Sequence, residues 1–380
     1  MNSKELLRIA VERGASDIHI KVGKPPIFRI DGQLAVQEDL LGPISGQIME
    51  VILKSLLNPA QIKIFENTGD VDSAYSLPGV SRFRLNFFRQ RGSPAAVIRV
   101  IKGNVPSLQE LNLPEQLTKV LDVKQGMILV TGPTGSGKSS ALAAMIDHIN
   151  ATKNVHVITI EDPVEFLHRD KKAAITQREV GLDTESFSSA LKYALRQDPD
   201  IILVGEMRDP ETIEIALRAA KTGHLVFSTL HTSDAVETIN RVVETFAPEK
   251  QHQIRISLAE NLQAVVSMKL LPRADGPGRV PAVEIMVVTA YITDRIINPE
   301  KEGDLRLYME SQRKQYGMQT FDQVLFDIYK QGLISRETAK SSANSPDNFE
   351  LRLSGVQNES GGGAEPDMGG PDDDLMADMV

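Results

Sequence analysis

The clearest chemistry in the chain is carried by eight consecutive residues, Gly132-Pro-Thr-Gly-Ser-Gly-Lys-Ser139. Their spacing, G-x-x-x-x-G-K-[ST], suits a triphosphate. The glycines let backbone N–H groups crowd the phosphate oxygens, the lysine adds a positive charge, and the hydroxyl offers a ligand to Mg²⁺. The run follows an apolar stretch at 127–130 and opens onto a helical pattern at 140–149, so it lies at a helix N-terminus, where the peptide dipoles favour anions. Gly132, Pro133, Thr134, Gly135, Ser136, Gly137, Lys138, Ser139 and Ser140 are therefore expected to hold ATP. Lys138 would neutralise the β/γ phosphates and Ser139 would ligate Mg²⁺.

Hydrolysis also needs a group that orients water and one that completes the metal shell, and in a sheet of parallel strands both belong at strand carboxyl ends. Two strand-like runs end suitably. The first leads into Glu161-Asp-Pro-Val-Glu165 and the second into Gly205-Glu206. Glu206 stands one residue past the usual position for a metal-shell acid, a distance that the longer glutamate arm covers. A third run is bracketed by His224 and His231. Read from chemistry alone, each histidine is either a structural strand-end residue or a donor to the γ-phosphate.

Composition narrows the class. The chain has 380 residues, 41% hydrophobic and 24% charged, which suits a soluble globular protein of two or three domains. With no cysteine, disulfides, thiolate zinc sites, iron–sulfur clusters and cysteine nucleophiles are excluded. Glu5 and Glu12 interrupt the apolar residues at the start, so a signal peptide is not expected there. No run of 18 apolar residues occurs, so any membrane contact is expected to be peripheral. The net charge of −9 is concentrated in residues 359–380, which hold seven acids and neither lysine nor arginine. The remaining chain is nearly neutral and gives no case for a nucleic-acid partner.

The elements that must position these residues read as follows. Residues 1–103 combine an amphipathic start with alternating runs at 16–21, 27–30 and 82–88, an α+β module built on a small antiparallel sheet. Turn-formers at 103–107 mark a linker, placed at 104–112, and a helical rhythm resumes at 108–120. Branched strands at 127–130, 155–160, 201–204 and 225–230 alternate with helices, so a mainly parallel sheet covered on both faces is expected. Mostly helical patterns follow from 234 to 342 within a domain spanning 113–345. The segment 346–380 is expected to be a mostly disordered acidic tail, read as a solubilising extension.

Together these residues resemble the secretion ATPase superfamily, specifically the PilT-like motors of type IV pili. Four boxes appear in order: the Walker A loop at 132–139, the Asp box Ile158-Thr-Ile-Glu-Asp-Pro-Val-Glu-Phe166, the Walker B segment 198–209 and the His box 222–232. The resemblance covers about residues 3–349. It implies an α/β fold, with a PAS-like N-terminal domain and a RecA-like P-loop ATPase domain that ends in a helical region, assembled as a homo-hexamer. It implies an Mg²⁺-dependent ATPase without zinc, cytoplasmic and held at the inner membrane through a pilus platform protein, with a paralogous retraction ATPase as a further partner.

Residue by residue, Glu165 matches the Asp-box catalytic glutamate and ranks above Glu161 on that basis. Glu206 matches the Walker B glutamate, and His224 and His231 the His-box pair. Arg82, Arg84 and Arg99 match arginines that approach the nucleotide from the N-terminal domain; by residue type alone they fit a solvated face equally well. The missing cysteines favour the retraction branch over extension and type II secretion ATPases, which carry a four-cysteine zinc module. Ala290-Tyr-Ile-Thr-Asp-Arg-Ile296 occupies the place of the retraction motors' helical motif with a divergent wording. Gly317-Met-Gln-Thr-Phe-Asp322, Asn348-Phe-Glu-Leu-Arg-Leu353 and the tail resemble PilU-type accessory motors. A non-catalytic ATP-binding adaptor would show a degraded loop or missing strand-end acids, and neither is seen.

Overall fold

The computed structural model describes residues 2–101 and 105–353. Two sheets organise them. The first is antiparallel throughout and contains β1 (Ala15–Lys21), β2 (Ile27–Ile30), β3 (Gln33–Val36), β4 (Asp70–Leu77), β5 (Ser81–Gln90) and β6 (Ser93–Ile101), in the order β3-β2-β1-β6-β5-β4. Its strands alternate as their sequences require. Phe83, Leu85 and Phe87 of β5 are buried, whereas Arg82 and Arg84 point away from that core. The helices Ser3–Glu12, Gly46–Leu56 and Pro59–Thr68 close it, contributing Leu6, Leu7, Met49, Ile52 and Phe65 to a core shared with Ile18, Ile20 and Phe28.

The second sheet runs β13-β12-β7-β11-β10-β8-β9, with β7 (Gly126–Thr131), β8 (His156–Glu161), β9 (Ala174–Glu179), β10 (Ile201–Val204), β11 (Leu225–Leu230), β12 (Leu262–Pro272) and β13 (Arg279–Val287). From β12 to β9 every neighbouring pair is parallel, and only β13 is antiparallel. Central strands such as Ile201–Val204 and Leu225–Leu230 are buried at every position, because helices cover both faces. The α/β class, the antiparallel first sheet and the helical end of the chain therefore stand as the residues indicate.

Two local expectations are corrected. The stretch from 234 to 342 is not simply helical, since it contains the long hairpin β12–β13, buried on both faces and so without the alternation that marks a strand. The helical rhythm at 108–120 yields only the helix Gln116–Val120, because Pro114 and the left-handed Asn112 (φ 51°) hold the preceding residues in turns. Separately, the segment 346–380 begins with a helix, Pro346–Leu353, and the acidic stretch after it lies outside the described residues, as does Asn104 of the linker. No helix among the described residues is long and apolar enough to cross a membrane.

One fully buried carboxylate joins the second sheet to the helical end. Glu284 on β13 accepts the N–H of Ala235 at 2.9 Å and that of Phe321 at 3.2 Å, so it caps two helices at once. Burial pushes its carboxyl up to about 7, with the neighbouring Asp234 charge adding to the rise, while the two backbone donors and Arg306 oppose it. A pKa raised on folding means stability that is complete below the ordinary carboxylate range and is lost as pH rises through about 7. The thermal midpoint should therefore fall between about pH 5 and about pH 8, and the fall should shrink in Glu284→Gln. Parallel curves for the two proteins would assign the titration to another group.

Candidate nucleotide site

The parallel ladder brings the sequence boxes to one edge. Val204 on β10 pairs with Ile160 on β8 and with Ser228 on β11, and Ser228 pairs with Leu129 on β7. The strands therefore terminate side by side, with Glu161 closing β8, Gly205-Glu206 following β10, His231 following β11 and the phosphate-type loop following β7. Gly205 allows the close approach: a Cβ there would lie 3.1 Å from the Ile160 carbonyl oxygen. Thr229 then ties the turn down, donating to the Gly205 carbonyl at 2.6 Å.

The loop itself is built around a tight start. Gly132 has φ 141°, and a Cβ on it would come within 2.3 Å of the Met268 carbonyl oxygen on β12 and 2.6 Å of Ser136 Oγ. From Lys138 the chain enters the helix Lys138–Thr152. Lys138 Nζ is folded back, donating to the Gly132 carbonyl at 2.7 Å and the Pro133 carbonyl at 3.0 Å. Burial pulls its pKa down, against the opposing charges of Glu206 and Glu165. Ser136 Oγ is buried and has no hydrogen-bond partner, while its N–H closes a turn onto Pro133 at 3.2 Å. An orphaned hydroxyl, a buried cation satisfied only by neutral carbonyls and a cradle too tight for a side chain suit a loop that accepts an anion.

A cavity of about 690 Å³ opens over this loop. Its walls include Thr134, Gly135, Gly137, Lys138, Ser139 and Ser140 from the loop, Glu161 and Glu165 from the β8 end, Glu206 and Arg208 from the β10 end, His231 from the β11 end, and Arg84 from the first sheet. Glu206 accepts from Arg208 Nη2 at 2.6 Å and faces His231 Nε2 at 3.2 Å. Burial works to raise its carboxyl, but these two partners outweigh that and hold it below the ordinary range. Glu161 is anchored by Thr159 Oγ1 at 2.6 Å and Gln177 Nε2 at 3.2 Å, yet burial pushes its carboxyl up. Glu165 stands exposed on the same wall.

Three expected site residues lie elsewhere. His224 precedes the other end of β11, one strand length from His231, with Nδ1 within 3.0 Å of the Ala219 carbonyl. Arg82 and Arg99 do not line the cavity. Arg82 is paired with Glu179 at 2.6 Å, and Arg99 with Asp17 at 2.9 Å. Of the three arginines, only Arg84 reaches the cavity wall. The structure adds a cation that no motif marks, Arg279 on β13, whose Nη1 lies 3.4 Å from the Gly135 carbonyl oxygen. It sits on the hairpin that the residue pattern conceals, so nothing in the sequence signals its place.

Comparison with known proteins decides the family. Residues 2–320 match the family model of the type II/IV secretion system protein. The chain belongs to that family. It is a P-loop ATPase of the secretion ATPase superfamily and is PilT-like. It is 46% identical over 349 residues to the type IV pilus retractation ATPase PilT of Pseudomonas aeruginosa, covering 92% of this chain and all of that one. It is 40% identical to the type IV pilus ATPase PilU of the same organism, covering 93% of this chain and 91% of PilU. A crystal structure of the pilus retraction motor PilT with bound ADP superposes with a TM-score of 0.84 at 44% identity, over 92% of this chain and 99% of that one. The ATPase DotB of Legionella pneumophila follows at 0.77 and 28% identity, over 94% and 97%.

The two carboxylates of the β8 end are separable by experiment. Glu165→Gln should lower ATP turnover by about 10²–10³, the usual scale for losing one preorganised electrostatic group, with nucleotide binding retained. Full activity in Glu165→Gln together with loss in Glu161→Gln would transfer the role to Glu161.

Proposed function

We propose that this chain is an Mg²⁺-dependent, ATP-hydrolysing homo-hexameric motor that powers type IV pilus retraction and twitching motility. The observation that carries the reading is the convergence of Lys138, Ser139, Glu165, Glu206 and His231 on one cavity. The full-length similarity to PilT supports the direction of the work. The proposed setting is the cytoplasmic face of the inner membrane, on a pilus platform protein, with a paralogous retraction ATPase as partner.

In this reading Lys138 exchanges its two loop carbonyls for β/γ phosphate oxygens, and Ser136 Oγ gains the partner it lacks. Water attacks the γ-phosphorus in line, the bond to the β–γ bridging oxygen breaks, and ADP leaves. Glu165 positions the water and takes its proton. His231 contacts the γ-phosphate end while leaning on Glu206. Arg84 brings positive charge from the first sheet. Arg82 and Arg99 would reach the phosphates only if that sheet moved or a neighbouring chain supplied them.

Among the described residues no three His, Cys, Asp or Glu side chains stand together to hold a metal. That suits Mg²⁺, which commonly takes one or two protein ligands and fills its octahedron with phosphate oxygens and water. Ser139 and Glu206 would hold it here, Glu206 through water, and it would neutralise charge developing on the phosphates.

A second reading, an accessory motor of PilU type, is supported by the 40% identity to PilU and the divergent wording at 290–296. The two part on autonomy. With a non-hydrolysable ATP analogue, light scattering should report a hexamer, and expression in a retraction-deficient host should restore twitching only while Glu206 is intact. A monomeric mass with nucleotide bound would count against the ring, and twitching restored by Glu206→Gln would show that this chain's own hydrolysis is dispensable.

A further inference from the structure

Glu179 closes β9 and belongs to none of the boxes that mark the site. It is 5% exposed, and a carboxylate so deeply buried requires compensation. Its Oε2 receives two donors. Arg82 Nη2 from β5 of the first sheet lies at 2.6 Å, and the backbone N–H of Val164 lies at 3.0 Å. Val164 immediately precedes Glu165 on the loop that follows β8. Arg82 stands two residues before Arg84 on the same face of β5, and Arg84 lines the nucleotide cavity. One oxygen atom therefore ties down both the strand that presents Arg84 and the loop that presents Glu165.

The rest of Glu179 is fixed as well, so it works as an anchor. It pairs across the parallel ladder with Glu161, its N–H donates to the Asp183 carboxylate at 2.9 Å, and its carbonyl accepts the N–H of Asp183 at 2.8 Å. The Arg82 side chain is largely buried against it; Arg82 Nε is buried without a hydrogen-bond partner, and Nη1 makes only a long contact of 3.4 Å to Ser76 Oγ on β4 of its own sheet. Swinging the first sheet away would leave the Glu179 charge with a single neutral donor, a costly arrangement in a buried site. The pose of the first sheet and the seating of the 162–166 loop are thereby linked energetically.

We propose that Glu179 is a positioning residue that couples the placement of the first sheet to the placement of Glu165, so that turnover is fast only while Arg82 is seated on it. The proposal rests on reading the 690 Å³ cavity as the ATP site. It differs from a direct role of Arg82 on phosphate, because here Arg82 acts through Glu179.

The test is a double-mutant cycle in the full chain, reading kcat and KM for ATP together with the Kd of a fluorescent ATP analogue and the melting temperature. Glu179→Gln keeps an acceptor for the Val164 N–H and removes only the charge that holds Arg82. It should lower kcat by about ten- to a hundredfold, the scale of a slightly misplaced catalytic group, with KM and Kd within about twofold. Arg82→Ala should do the same, and the double variant should be no slower than either single one, as expected for residues acting as a unit. Losses that multiply in the double variant would overturn the proposal in favour of independent roles. Wild-type or faster turnover in Glu179→Gln would overturn it too, the latter by showing that the pair restrains Arg82. If Glu179→Gln melts early, Arg82→Lys serves in its place and should recover most of the turnover lost in Arg82→Ala. Failure of the wild-type chain to bind the analogue would instead sink the reading of the cavity, which keeps the two failures apart.

Discussion

The parallel register of β7, β11, β10 and β8 is the constraint on which the site depends. Because Leu129, Ser228, Val204 and Ile160 stand level across the ladder, the four strands end within two residues of one another, and the residues at and just past those ends bring polar groups to the same crevice. A one-residue slip of any strand would exchange its faces and move its terminal group away. Burial on both faces makes that slip expensive, since strands such as Ile201–Val204 have no solvent side to accommodate it. The geometry of the candidate site is thus a by-product of hydrophobic packing, with Gly132 and Gly205 permitting the close approaches that the packing demands.

Charge at that edge is balanced by the protein's own groups. Lys138 is satisfied by two loop carbonyls, and Glu206 is held ionised by Arg208 and His231. In the proposed reading, exchanging these neutral carbonyls for phosphate oxygens would favour the lysine. The first sheet joins the same electrostatic system through Arg84 at the cavity and through Arg82 on Glu179. At the far end of the second sheet, Glu284 and the Asp234–Arg306 pair tie the His-box side of the domain to the helices that follow.

Much of this was legible in the residues. The phosphate-type loop, the Glu206 strand end and the α/β order stand out because each rests on local chemistry: glycines where the backbone must crowd, acids after branched runs, helices after turns. What stayed hidden is what only tertiary contact decides. The hairpin β12–β13 carries no alternation, since both of its faces are covered, and with it went Arg279 and Glu284. His224 and His231 look equivalent in sequence, but a strand of six residues separates them, and only His231 reaches the cavity. Arg82 and Arg84 differ by two positions and share a face, yet only the partner across the fold, Glu179, tells them apart.

In the proposed function, this one cavity binds and hydrolyses ATP through Lys138. This is tested most directly by steady-state ATP turnover of the purified full-length protein with Mg²⁺, run beside Lys138→Ala. Turnover should disappear with the lysine. Equal turnover in both proteins, or none in a wild-type chain that still binds nucleotide, would contradict it.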